Sequence, residues 1–305
     1  MKKAALFSGQ GSQYVGMGQS LYETEPSFRD LCHQANDLLG RDLTALMFQG
    51  PEESLRSTEN AQVALLTMDY GIFQILSQRG QDFHFTAGHS LGEYAALTAS
   101  GVLRFEDALA IVNERGALMA RAGEMEPGTM AAVIGMDFKT VEEICRRNGA
   151  DMANFNSAEQ VVISGRVSAV EKSMEECKEA GAKRVLPLNV SGAFHSRLMA
   201  ASGEQLADVI RSIPFHAPRI PVVMNVTGEE EKNQEKMKEL LIAQVSSPVK
   251  WMHSMEFMLQ QGVTHFAECG PKNVLSALVR RISTDAVSVT TDTAEGIAKA
   301  LEVLS

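Results

Sequence analysis

The apolar positions of this chain change period along its length, and each change marks an element. Ala4-Ala5-Leu6-Phe7 is a short unbroken apolar run that predicts a buried strand. It ends in the loop Ser8-Gly9-Gln10-Gly11-Ser12-Gln13. From there to about residue 80 apolar residues recur at helical spacing, with breaks at Gly40 and Gly50-Pro51. Ala61–Leu76 is strongly apolar and predicts a core helix. Phe83–Ala87 reads as a strand and Glu93–Ala99 as a helix with a face of small residues. Phe105–Ala122 reads as a helix whose first turn holds Glu106 and Asp107, where the dipole favours acids.

Residues 123–190 have a different rhythm. Gly123–Gly128 predicts a linker. It is followed by strand Thr129–Ile134, helix Lys139–Asn148, strands Asp151–Asn156 and Gln160–Ser164, helix Ser168–Ala180 and strand Arg184–Val190. The order βαββαβ is that of a ferredoxin-like unit. The reading is therefore α/β: residues 1–122 and 191–305 form a large domain, and 123–190 a small domain inserted into it. The second half of the large domain predicts helix Ser196–Ile213, strand Val222–Val226, helices Glu235–Val245 and Met252–Gln261, and strand Thr264–Glu268. A last helix opens at Gly270-Pro271. The charge run Glu229-Glu230-Glu231 reads as a solvated loop.

Composition narrows the class. The chain has 305 residues, 45% hydrophobic and 22% charged, as in an ordinary globular protein. A net charge of −10 argues against general binding to nucleic acid. The four cysteines, Cys32, Cys145, Cys177 and Cys269, form no Cys-x-x-Cys, so buried free thiols in a reducing compartment are expected. The positive start gives way to an apolar run too short for a signal peptide, and no run approaches membrane-spanning length. The expectation is a cytoplasmic protein, and nothing in the sequence signals assembly beyond a monomer.

One stretch carries chemistry. Gly88-His89-Ser90-Leu91-Gly92 has the Gly-x-Ser-x-Gly form of a nucleophile elbow, with a predicted strand before it and a helix after it. Glycines suit the flanking positions because side chains there would crowd the strand–helix crossing. The helix points its N-terminal amides toward the serine, where negative charge develops in acyl transfer. A turn serine that caps a helix is the competing reading. Among the seven histidines, His195 lies in Ser191–Ser196, a loop running from a strand into a helix. Such loops build sites, so His195 is the candidate base, with helix capping as the alternative. His89 should point away from its neighbour Ser90 and pack or cap. His33 and His253 should be at the surface. No acid stands out to orient His195, and a backbone carbonyl could serve instead. Arg115, by its spacing on helix 105–122, reads as a surface residue paired with Glu114 or Glu93.

Beyond these residues the chain resembles the malonyl-CoA:acyl carrier protein transacylases of bacterial fatty-acid synthesis. The pieces are Gly9-Gln10-Gly11-Ser12-Gln13, Gly88–Tyr94, Arg115-Gly116, Gln160–Gly165, Gly192-Ala193-Phe194-His195, Ser247–Trp251 and Gly270-Pro271. The resemblance implies an α/β-hydrolase-like large domain with the ferredoxin-like insertion. It implies Ser90 as the nucleophile and His195 as the base. Gln10 and Leu91 would supply the oxyanion N–H groups, Arg115 would grip the malonyl carboxylate, and the Gln244 carbonyl would orient the histidine. Phe194 would disfavour a methyl branch on the acyl group. The implied partners are malonyl-CoA and acyl carrier protein, with no metal or other cofactor and no membrane or nucleic acid. Lys183, Arg184, Lys250, Lys272, Arg280 and Arg281 are candidates for a basic docking patch. An acyl hydrolase on the same scaffold, or a trans-acting acyltransferase of a polyketide synthase, would share these motifs. The chain departs from the family at Ser8, where proline is usual, and at Val63, where Gln-Pro is common.

Overall fold

The computed structural model describes residues 1–305. Strand Lys2–Phe7 lies at the middle of a six-stranded sheet, its apolar residues buried from Ala4 onward. On one side it pairs in parallel with Val263–Cys269 and then Val287–Thr290. On the other it pairs with Phe85–Gly88, then Val222–Val223, and finally the short antiparallel strand Glu230–Glu231. Phe7 stands opposite Gly88 in the register, so the loop at Ser8 and the turn at Ser90 leave adjacent strands at one edge. Crevices at the carboxyl ends of such strands are where α/β folds place ligands.

A second, four-stranded sheet is antiparallel throughout. Its order is Asp151–Ser157, Gln160–Arg166, Gly128–Ile134 and Arg184–Pro187. Helices Phe138–Asn148 and Val167–Glu179 cover it and enclose a small core of their own around Val141, Ile163 and Val170. The main core forms around helix Thr58–Gln78, whose central residues are almost all buried. The result is a mixed α/β molecule with one largely parallel and one antiparallel sheet. No helix is long and apolar enough to cross a membrane.

Several elements differ from the sequence reading. Helix Phe105–Met125 runs three residues past Ala122, into the expected linker, and strand Gly128–Ile134 begins almost at once. Gly123 sits inside the helix because it packs against backbone: a Cβ there would lie 2.1 Å from the Ser191 carbonyl oxygen. Glu230 and Glu231 are not a free loop but an edge strand on Val222–Val223. Both are only half-buried on this edge strand, and Glu230 lies 3.4 Å from Lys232 Nζ. Beyond Gly270-Pro271 the chain forms two helices, Val274–Ile282 and Ala294–Val303, with strand Val287–Thr290 between them.

Candidate active site

Ser90 has φ 53°, a left-handed backbone that non-glycine residues seldom adopt. The surroundings enforce it. A Cβ on Gly88 would lie 1.9 Å from the Gly92 carbonyl carbon, and one on Gly92 would lie 2.1 Å from the Phe7 oxygen. Strand Phe85–Gly88 and helix Gly92–Ala99 therefore cross at backbone contact, and the turn between them lifts Ser90 out.

The Ser90 Oγ lies 2.7 Å from Nε2 of His195, itself at φ 56° and 4% exposed. On the far side of the ring, Nδ1 is 2.9 Å from the Gln244 carbonyl and 3.2 Å from that of Ser247. Carbonyls only accept, so Nδ1 carries the proton and the Nε2 lone pair faces the serine hydroxyl. Gln244 ends helix Gln234–Gln244, where the last carbonyls lack helical partners; apart from a long 3.4 Å bond from the Ser247 N–H, its carbonyl is open to the imidazole. Burial, reinforced by the Arg115 charge, lowers the His195 pKa to about 3.

Arg115 is 1% exposed. Its helix can approach the backbone of Glu59 closely because residue 116 is glycine; a Cβ there would lie 2.9 Å from the Glu59 Cα. The guanidinium donates to Gln62 Oε1 at 2.7 Å, Gln244 Oε1 at 3.1 Å and Ser90 Oγ at 3.1 Å, and its carbon sits 5.4 Å from the Tyr94 ring centre. All three acceptors are neutral, and Nε has no partner. This is a buried cation beside the Ser90 hydroxyl, without a directly bonded anion from its own chain. The surface placement read from its helix spacing is thus corrected: Glu114 pairs with Arg121, and Glu93 bonds elsewhere.

The amides divide cleanly. Ser90 N–H donates to Asn225 Oδ1 at 2.8 Å. The amides of Gln10 and Leu91 have no acceptor within the chain. Gln10 lies in the loop after the first strand, beside the elbow, and Leu91 opens the following helix. A Cβ on Gly9 would come 2.8 Å from the His89 carbonyl oxygen, which measures how closely loop and elbow approach.

These contacts can activate a serine hydroxyl, hold a carboxylate on a guanidinium and present N–H groups to a developing oxyanion. The family model for the acyl transferase domain matches residues 5–299. The chain belongs to the acyl transferase family. It is 41% identical over 301 residues to a malonyl CoA-acyl carrier protein transacylase of Staphylococcus aureus, covering 97% of each chain. It is 40% identical over 308 residues to the protein of that name from Bacillus subtilis, covering 99% of this chain and 97% of the other. Among solved structures, a malonyl-transacylase in complex with a type II polyketide acyl carrier protein superposes with a TM-score of 0.97. It shares 39% identity, over 99% of this chain and 100% of that one.

In this acyl transferase the sequence-chosen residues Ser90, His195, Arg115, Gln244, Gln10 and Leu91 gather at one edge of the main sheet. Phe194 is buried, and its ring lies over Gly192. The side-chain braces were not foreseen. Glu93, fully buried, accepts from the Asn225 amide and from Gln244 Nε2, both at 2.6 Å, and burial raises its pKa to about 7. Asn225 also donates to the Gly88 carbonyl at 2.7 Å, and Gln244 to that of Ser90 at 2.8 Å. His89 points away from Ser90 and meets Asn156 Oδ1 at 2.9 Å, while His33 and His253 are exposed. Of the basic-patch candidates, Lys272 lies against the Gln10 loop, its Nζ 3.4 Å from the Gly11 carbonyl and 3.3 Å from that of Gln13. Lys183 faces Glu159 and Arg281 bonds Gln160, whereas Lys250 is only half exposed.

Proposed function

We propose that this chain moves the malonyl group from malonyl-CoA to the phosphopantetheine thiol of acyl carrier protein through a malonyl ester on Ser90. The observation that carries the proposal is the buried Arg115 guanidinium, bonded only to neutral oxygens and 3.1 Å from the Ser90 hydroxyl. A substrate whose acyl group ends in a carboxylate supplies the missing anion, and a planar guanidinium can take it with two parallel bonds. An acetyl group leaves the buried cation unpaired, so it is disfavoured.

The steps follow from the geometry. His195 Nε2 takes the Ser90 proton, and Oγ adds to the thioester carbonyl. The N–H groups of Gln10 and Leu91 receive the oxyanion. The imidazolium returns its proton to the departing CoA sulfur as the carbon–sulfur bond breaks, leaving malonyl-Ser90. The carrier thiol then gives its proton to His195 and repeats the sequence in reverse. Thioester exchange is neither oxidation nor reduction, and the reading includes no metal or cofactor. The carbonyls of Gln244 and Ser247 orient the imidazole where many serine enzymes use an acid. Phe194, next to His195, would limit branching at the acyl α-carbon. The reading also takes residues 123–190 as a ferredoxin-like insertion in an α/β-hydrolase-like domain formed by 1–122 and 191–305. It places the reaction in the cytoplasm, in keeping with four buried free cysteines. Similarity to a transacylase solved with a polyketide carrier protein favours a second reading, in which the same chemistry loads a polyketide carrier.

Intact mass after brief exposure to malonyl-CoA tests this. The expected result is a malonyl adduct that is absent in Ser90→Ala, scarce with acetyl-CoA, and transferred to added holo carrier protein. Free malonate without transfer would make the chain a hydrolase. No adduct and no malonate would end the catalytic reading.

A further inference from the structure

Beneath the Gln10 loop lies a group of side chains that the transfer mechanism does not use. Ser8 and Asp69 are 0% exposed and Ser12 is 2% exposed. Ser8 Oγ is 3.0 and 3.1 Å from the two Asp69 carboxyl oxygens, and Ser12 Oγ is 3.1 Å from Ser8 Oγ. Ser12 also donates to the Gly9 carbonyl, from its hydroxyl at 2.7 Å and its amide at 3.3 Å. The chain of contacts thus runs from Asp69, on helix Thr58–Gln78, to the carbonyl of the peptide that joins Gly9 to Gln10.

Each hydroxyl has a single proton to give. Ser12 gives its proton to the closer acceptor, the Gly9 oxygen. Ser8 gives its own proton to the Asp69 carboxyl, and its oxygen is the second, longer acceptor of the Ser12 hydroxyl. Burial pushes the Asp69 carboxyl well above the usual range, against the pull of its Ser8 bonds, and the Glu268 charge adds to the rise. Space around the group is closed: a Cβ on Gly270 would lie 2.5 Å from Ser8 Oγ and 2.6 Å from Asp69 Oδ1.

A peptide unit is planar and trans, so its C=O and N–H point in opposite directions. Holding the Gly9 carbonyl down on Ser12 turns the Gln10 N–H away from the core, and that N–H has no acceptor in the chain. We propose that Asp69 is a positioning residue for acyl transfer: acting through Ser8 and Ser12, it fixes the Gly9–Gln10 peptide plane and aims the Gln10 N–H at the oxyanion. The inference rests on the reading of Gln10 as an oxyanion donor.

The test compares wild type with Asp69→Asn, Asp69→Ala and the double variant Ser8→Ala/Asp69→Ala. It reads kcat, KM, the rate of malonyl-enzyme formation and the melting midpoint. An asparagine keeps a side-chain carbonyl oxygen that accepts from Ser8, so Asp69→Asn should keep kcat within about threefold. Asp69→Ala should lose roughly 10- to 100-fold in kcat, at or below the cost of deleting an oxyanion donor outright, with KM nearly unchanged. The double variant should be no slower than Asp69→Ala, because both changes cut one path. Ser12→Ala breaks the path at its other end and is read the same way should Asp69→Ala not fold. Wild-type kcat in folded Asp69→Ala, an Asp69→Asn as slow as Asp69→Ala, or a loss confined to KM would each overturn the inference. Its failure stays separate from that of the parent reading. A wild type that forms no malonyl-enzyme defeats the parent reading, whereas a normal wild type matched by Asp69→Ala defeats this inference alone.

Discussion

Burial and the Arg115 charge keep the His195 imidazole neutral down to a pKa of about 3, so its lone pair stays available to Ser90 across the neutral range. The sign of the substrate's effect follows. On the proposed function, a malonyl carboxylate bound at Arg115 would offset the positive charge that opposes protonation and make the imidazole more basic in the complex. kcat/KM reports the free enzyme and kcat the complex. The acid limb of kcat should therefore lie at higher pH than that of kcat/KM, and the kcat/KM limb well below the ordinary histidine value of about 6.5. Profiles from about pH 4 to 8 check this; two limbs that coincide near the ordinary value would contradict it. At this scale Ser90 was legible because its motif is local. His195 was legible only as a candidate from its loop. Arg115 was not, since helical spacing cannot see that the glycine after it lets its helix press against the Glu59 backbone.

The elbow shows how elements carry the geometry. Its glycines meet backbone atoms, which cannot swing aside as a side chain can. Gly92→Ala should therefore cost upwards of about 3 kcal/mol and remove activity with it. Gly11→Ala is the contrast: with φ 102° but nothing within 4 Å of its Cβ, it adds backbone strain and no collision, at about 1 to 3 kcal/mol. Urea midpoints at constant slope would rank the two, and a Gly92→Ala protein as stable as wild type would refute the crossing argument. Period and turn residues anticipated most helices and both sheets. They failed where an element is short or finishes against distant chain. Strand Val287–Thr290 has four residues, of which only Val289 is buried, and gives little periodic signal. Asn225 reaches Ser90 across 135 positions, and no local pattern announces that.

Over the whole molecule, the antiparallel sheet is tied to the site rather than merely adjoining it. Asn154 pairs with Val249, just after the Ser247 carbonyl that helps hold His195, and Asn156 holds the His89 ring. The loop Ser191–His195 leads from this sheet back to the Ser90 partner His195, and Gly123 packs on its first carbonyl. Asn156→Ala should leave the half-buried His89 ring nitrogen without its partner, lowering stability by about 1 kcal/mol and slowing Ser90 acylation. Melting and acylation rates both equal to wild type would show the seam to be passive.

The carbonyl support of His195 has one more consequence. No fixed negative charge waits behind the ring to favour the imidazolium, so the proton is held only in passing, whichever sulfur is leaving. The machinery is alike in both directions and makes no distinction between donor and recipient thiol. A catalyst built this way is a turnstile without a ratchet. Net traffic follows the four pools together, loaded and free CoA against loaded and free carrier, and irreversibility has to come from whatever consumes the loaded carrier next.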